Sequence, residues 1–128
     1  MILPFLTIAS STNKGRGVFT TEPITANTTI EIAPVIVVDA NGREKLEQTL
    51  LYDYIFEWGP DSKKAAVALG YISIYNHSNE PNCAYDMDFE HQTISIITLK
   101  DIPVGTELLI NYMCPEGPSE DPVWFEKY

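Results

Sequence analysis

Nine prolines and seven glycines punctuate the 128-residue chain at short intervals, and the stretches between them are rich in Val, Ile, Thr, Tyr and Phe. β-Branched and aromatic side chains fit a pleated surface better than a helix. The chain therefore reads as mainly β. Strands are expected over residues 3–9, 17–20, 29–32, 35–38, 51–58, 82–88, 93–99 and 107–110. The two that flank Phe89–Gln92 make the clearest hairpin, with Ile94 and Ile96 placed on one face by the two-residue period. A short solvated helix is expected over 42–50, and a second helical turn over 62–69 with Ser62 as its cap.

A chain of this length buries roughly two-thirds of its unfolded surface. With 45% hydrophobic residues it holds enough apolar surface to fold without disulfide or metal staples. No repeat or low-complexity linker divides it, so one domain is expected over 1–128, with 113–128 as an irregular tail. The tail ends in Val123, Trp124 and Phe125, which are expected to fold back onto the body, worth about 2 kcal/mol each if fully buried.

The net charge is −10, and the second half of the chain carries most of it, with 10 acidic against 2 basic side chains. Duplex DNA and anionic membranes call for the opposite sign, so a basic or neutral partner is expected. Two cysteines, Cys83 and Cys114, are too few for a disulfide framework and imply reduced thiols in a cytoplasmic protein. Met1–Ala9 is apolar but has no basic flank, and reads as a first strand instead of a signal peptide or membrane span.

Several constellations fail on inspection. Gly15-Arg16-Gly17 opens a strand, and Thr20 stands where a dinucleotide fingerprint needs its third glycine. A tight turn with positive φ is the plain alternative. Asp86, Asp88 and Glu90 imitate a calcium loop, but His91 occupies the glycine position and Ile97 the place of the closing glutamate. Cys83, Cys114, His77 and His91 contain no close-spaced pair, so no metal is expected. Neither cysteine nor any serine is set up as a nucleophile.

Asn76-His77-Ser78-Asn79-Glu80-Pro81-Asn82 is a dense polar run directly after apolar residues, and on entering an interior it must satisfy many hydrogen bonds. Taken in order, Lys14-Gly15-Arg16-Gly17-Val18-Phe19, Asn76-His77-Ser78 with Pro81-Asn82, and Glu107-Leu108 with Tyr112 resemble a SET domain of the small stand-alone bacterial or viral type, from about Thr7 to Tyr112. The resemblance implies a β-clip-like fold of several small sheets with few short helices, in which the segment after Asn-His-Ser threads beneath a loop as a pseudoknot. It also implies transfer of methyl groups from S-adenosylmethionine to lysine side chains of a protein. By resemblance, Gly15, Arg16 and Gly17 approach the cofactor's methionine part through backbone groups, with Lys14 at the rim. Asn76 and His77 hold the cofactor, Tyr112 is the catalytic tyrosine, and Glu107 closes the knot.

The physical requirement is alignment of two reactants, exclusion of water and a neutral amine, whose ordinary pKa is about 10.4. Tyr54, Phe56, Tyr75 and Trp124 are candidates for aromatic walls of a lysine channel. Ile110 stands two before Tyr112, where the family tunes the number of methyls added; a nonpolar residue there points to di- or trimethylation. Many members carry Cys where this chain has Asn79, together with a zinc-bearing C-terminal lid. Here only Cys114 remains, and the Val123–Phe125 segment is the candidate cover. The acidic charge suits a basic protein substrate and disfavours nucleic acid and membrane; a homodimer would cover apolar surface. The rival readings are a catalytically silent SET-like module that binds a basic tail, and a small β-clip domain for another ligand.

Overall fold

A computed structural model describes residues 1–12 and 14–118 of the chain. In chain order its elements are β1 (Leu6–Ser11), β2 (Gly15–Thr20), β3 (Thr29–Val38), α1 (Ala40–Leu46), β4 (Ile55–Trp58), β5 (Lys64–Ala68), β6 (Asn76–His77), β7 (Cys83–Asp88), β8 (Thr93–Thr98) and β9 (Glu107–Ile110). Short 3₁₀ turns lie at Leu50–Asp53 and Ile72–Ile74. The strands form a four-stranded sheet, β1-β2-β9-β6, and a five-stranded sheet, β4-β5-β3-β8-β7. All pairings are antiparallel except β6 with β9.

The expected β-rich architecture holds, and β9 has the expected bounds. The β7–β8 hairpin closes through residues 89–92, and Ile94 and Ile96 both face the core, fully buried. Asp88 stabilises the tip by accepting from the His91 N–H at 3.0 Å and pairing with His91 Nδ1 at 2.9 Å.

Four elements differ most from expectation. Residues 29–32 and 35–38 form one continuous strand. Pro34 is tolerated because it stands where β3 changes partner from β8 to β5. Residues 64–68 form β5 instead of a helical turn: the small run Ala65-Ala66 is fully buried between β3 and β4, and tertiary packing overrides the helical preference of alanine. The expected strand over 51–58 begins only at Ile55. Before it, Thr49 caps a 3₁₀ turn by accepting from the Leu51 N–H at 3.1 Å. The helix α1 starts earlier than expected because Asp39 caps it through the Gly42 N–H at 2.8 Å.

A shift of register between Thr29 and Glu31 introduces a bulge into β3. Strict alternation would place one of Ile30 and Glu31 outside; with the bulge both are buried. A glutamate thus enters the core, where its carboxylate accepts from the Tyr71 N–H at 2.7 Å and the Tyr75 hydroxyl at 2.8 Å. Gly70, at φ +65°, leaves the room for it, since a Cβ there would collide with Glu31 Oε2.

Replacement Gly70→Ala should destabilise the protein by roughly 2–4 kcal/mol, from a left-handed backbone position combined with a clash against a buried carboxylate. Urea unfolding checks this; a loss below about 0.5 kcal/mol, the range of ordinary surface changes, contradicts the packing described.

Candidate active site

The site is assembled around the end of β9. On one side β9 pairs with β2, Val18 opposite Leu108 and Phe19 opposite Glu107; on the other it runs parallel to β6, Asn76 opposite Leu109 and His77 opposite Ile110. Glu107 ties β9 to β1 and β6: Oε1 accepts from Ser11 Oγ at 2.7 Å, and Oε2 from Asn76 Nδ2 at 2.6 Å. Asn76 also donates to the Arg16 carbonyl at 3.0 Å. Asn82 lies along β9, donating to the Glu107 carbonyl and accepting from the Leu109 N–H, both at 2.8 Å.

The two glycines of the Lys14–Gly17 motif serve different needs. Gly15 supplies the positive φ of the turn, at +71°, whereas Gly17 is buried and needed for close approach, because a Cβ there would run into the Glu107 carboxylate. The tight-turn reading therefore holds for Gly15 and is corrected for Gly17.

Tyr112 lies just beyond β9, in a turn where the Met113 N–H donates to Asn111 Oδ1 at 2.9 Å. All three of its polar handles are engaged. Its hydroxyl donates to the Tyr75 carbonyl at 2.5 Å, its N–H to His77 Nδ1 at 3.1 Å, and its carbonyl accepts from the Tyr85 hydroxyl at 3.1 Å. Burial pushes the Tyr85 phenol above its ordinary pKa. It pushes Tyr75 well above, with the Glu31 charge adding to the effect. Glu31 is itself held above the usual carboxylate value by burial, against the hydrogen bonds from Tyr71 and Tyr75.

Two cavities meet at Tyr112. One, of about 560 Å³, is lined by Lys14, Gly15, Arg16, Asn76, His77 and Asn79 among others. The second, of about 550 Å³, has aromatic walls of Tyr52, Phe56, Tyr85 and Phe89. Asp53, Tyr54, Ser73 and Tyr112 line both. Ser73 Oγ donates to the Tyr54 carbonyl at 2.8 Å, pinning this shared wall, and Phe56 packs edge-on against Tyr85 with ring centroids 5.8 Å apart.

Of the residues expected from sequence, Lys14, Gly15, Arg16, Asn76 and His77 come together around the first cavity, with Lys14 Nζ 3.5 Å from the His77 carbonyl. Tyr54 lines both cavities and Phe56 the second. Gly17, Tyr75 and Ile110 are buried and line neither cavity. Tyr75 acts through its backbone carbonyl, and Ile110 belongs to the core. Trp124 and the rest of the Val123–Phe125 cover lie outside the described residues. Asp53, Ser73, Asn79, Tyr85 and Phe89 also line the cavities and are not marked as site residues by the sequence motifs. Their contribution depends on loops and a hairpin converging in space, and only the density of polar side chains around Asn79 marked any of them. Among the described residues no three His, Cys, Asp or Glu side chains group as a metal site. Cys83 and Cys114 are free thiols, that of Cys83 pushed up to about 12 by burial.

Comparison with known proteins accords with this geometry. The SET domain family model matches residues 15–113. A Schizosaccharomyces pombe protein, the histone-lysine N-methyltransferase specific for H3 lysine-37, is 38% identical over 122 residues, covering 94% of this chain and 77% of the relative. A crystal structure described as that of a candidate histone methyltransferase from Plasmodium falciparum superposes with a TM-score of 0.67 at 27% identity, covering 87% of this chain and 95% of the other. The chain belongs to the SET domain family. It is an S-adenosylmethionine-dependent protein-lysine N-methyltransferase.

The first cavity fits that cofactor. Its size lies within the range of about 300–1,000 Å³ usual for small-molecule sites. Lys14 and Arg16 suit a carboxylate, the amides of Asn76 and Asn79 suit polar edges, and the rings of Tyr54 and Tyr112 suit a cationic or flat aromatic group.

The raised pKa of Glu31 has a definite sign. Between its ordinary value and the raised one, the folded protein binds more protons than the unfolded chain, so lowering pH through that window adds stability. Wild type should gain on Glu31→Gln as pH falls from neutrality toward the ordinary carboxylate range, measured by chemical denaturation. A constant difference contradicts the buried carboxylate.

Proposed function

We propose that the cavity lined by Lys14, Arg16, Asn76 and His77 holds S-adenosylmethionine, that the aromatic cavity receives the substrate lysine, and that Tyr112 stands at the point of transfer. The observation that carries this reading is that Tyr112 lines both cavities. When bound, the cofactor supplies an electrophilic methyl group on a cationic sulfur.

The remaining chemistry belongs to the chain's own residues. The Tyr112 hydroxyl commits its proton to the Tyr75 carbonyl, so toward a substrate it presents oxygen lone pairs. Those lone pairs orient an amine through its N–H groups. The phenol does not serve as a simple general base: losing its proton would break the bond to Tyr75, and an ordinary phenol has a pKa near 10. The aromatic walls exclude water, and desolvation favours the neutral amine that attack requires. Proximity and orientation are the main source of rate.

The substrate is a lysine within a basic protein segment of the histone-tail kind. Three carboxylates, Glu47, Asp53 and Glu57, line the aromatic cavity against one guanidinium, Arg43, which pairs with Glu57 at 3.0 Å and Glu47 at 3.2 Å. With a net charge of −10, the protein attracts a basic chain at long range. The specificity named for the fission-yeast relative supports a histone tail as the first substrate to test.

Labelled-methyl transfer onto histone H3 and other basic proteins tests the reading. Activity should fall with added salt, and Tyr112→Phe should lower kcat by about a hundredfold. Cofactor binding, followed by calorimetry, should change little in that variant. Full activity of Tyr112→Phe would remove the phenol from the reaction, and peptide binding without transfer would favour a silent module.

A further inference from the structure

We propose that Asn79 is a positioning residue for methyl transfer: its side-chain carbonyl holds the His77 ring in the Nε2–H tautomer, the form whose Nδ1 accepts the Tyr112 main-chain N–H. The proposal rests on the reading of Tyr112 as the phenol at the point of transfer.

The hydrogen bonds dictate the assignment. A backbone N–H can only donate, so His77 Nδ1, 3.1 Å from the Tyr112 nitrogen, must carry a lone pair. In a neutral ring the proton then sits on Nε2, which lies 2.9 Å from Asn79 Oδ1. The tautomer of an imidazole is set by the partners offered to its two nitrogens, and here one partner is fixed by the backbone while Asn79 supplies the other. An apolar side chain at position 79 would leave Nε2 without its acceptor. Reversal of the tautomer, or a second proton on the ring, would then set an Nδ1–H against the Tyr112 N–H.

The local backbone makes Asn79 a firm support. The Ser78 N–H donates to the Ile110 carbonyl at 2.9 Å, joining this turn to the end of β9, and the Glu80 N–H donates to Ser78 Oγ at 3.0 Å, closing the turn. Asn79 is thus carried by the same strand end that leads into Tyr112. The His77 and Tyr112 rings also pack together, tilted by 55° with centroids 5.2 Å apart. Asn79 therefore acts on the phenol through His77. Loss of its acceptor loosens the hydrogen bond from the Tyr112 main-chain N–H, while those to Tyr75 and Tyr85 remain.

The test is nitrogen-15 NMR of the histidine ring in the full chain. The chain has two histidines, so His91→Gln, at the exposed hairpin tip, leaves His77 as the single imidazole. Above the ordinary histidine pKa of about 6.5, the ring should show a protonated Nε2 and an unprotonated Nδ1. Adding Asn79→Leu should give averaged ring shifts, and should lower kcat by about fivefold, the rate equivalent of one hydrogen bond. An averaged or Nδ1-protonated ring in the presence of Asn79 overturns the proposal whether or not the variant folds. A ring and kcat unchanged by Asn79→Leu overturn it too. Absence of methyl transfer by the unaltered chain would remove the reading of Tyr112 and the kinetic half of the proposal, whereas the ring spectrum would still decide the tautomer half.

Discussion

Two residues of parallel pairing, Asn76 and His77 beside Leu109 and Ile110, bring together segments more than thirty positions apart, and the rest of the site hangs from that contact. So short a ladder is weak by itself, since parallel pairing contributes slightly less per residue than antiparallel. It is held by side chains that bond to backbone and to each other. Asn82 runs along β9 and bonds on both sides of Leu108, while the Glu107 carboxylate joins Ser11 of β1 to Asn76 of β6. Gly17 is part of the same device, because only a residue without a Cβ lets β2 pass that carboxylate so closely. The polar run that looks like an ordinary Asn- and Pro-rich turn is, in three dimensions, a set of brackets around one strand.

A second support lies beneath the first. The bulge in β3 turns Glu31 inward, Gly70 makes room for it, and the carboxylate fixes Tyr71 and Tyr75. Burying an ionisable group is costly, and it is tolerated here because each of its oxygens has a partner. The return is a rigid Tyr75, whose carbonyl receives the Tyr112 hydroxyl. The phenol is therefore restrained from the interior through Tyr75 and from the side of the first cavity through His77.

Sequence reasoning reached the parts that local pattern controls. The bounds of β9 and the hairpin around 89–92 followed from alternation and turn chemistry, and the Ile94 and Ile96 face followed from the two-residue period. The cluster around the first cavity is legible as ordered motifs, because Lys14–Arg16 and Asn76–His77 are each contiguous. The aromatic cavity was less so: Tyr54 and Phe56 were found, but Tyr85 and Phe89 belong to a hairpin that reaches the site only through the sheet order. The helical turn expected over 62–69 from Ser62 as a cap gives way to β5, because the neighbouring strands on both sides of Ala65 and Ala66 decide. Glu31 gave no signal, since a bulge is set by pairing register and nothing in the isolated strand announces it.

The Ser11–Glu107 bond spans 96 positions of the chain, and β2 and β9 are almost as far apart. Loops of that length must close before any of these contacts yields stability, which is the usual origin of slow folding in β proteins. During synthesis the ribosome delivers Lys14–Arg16 and Asn76–His77 well before Tyr112. Until β9 emerges and docks between β2 and β6, a nascent chain has neither a finished first cavity nor the Tyr112 hydroxyl beside it, so the two cavities are completed together.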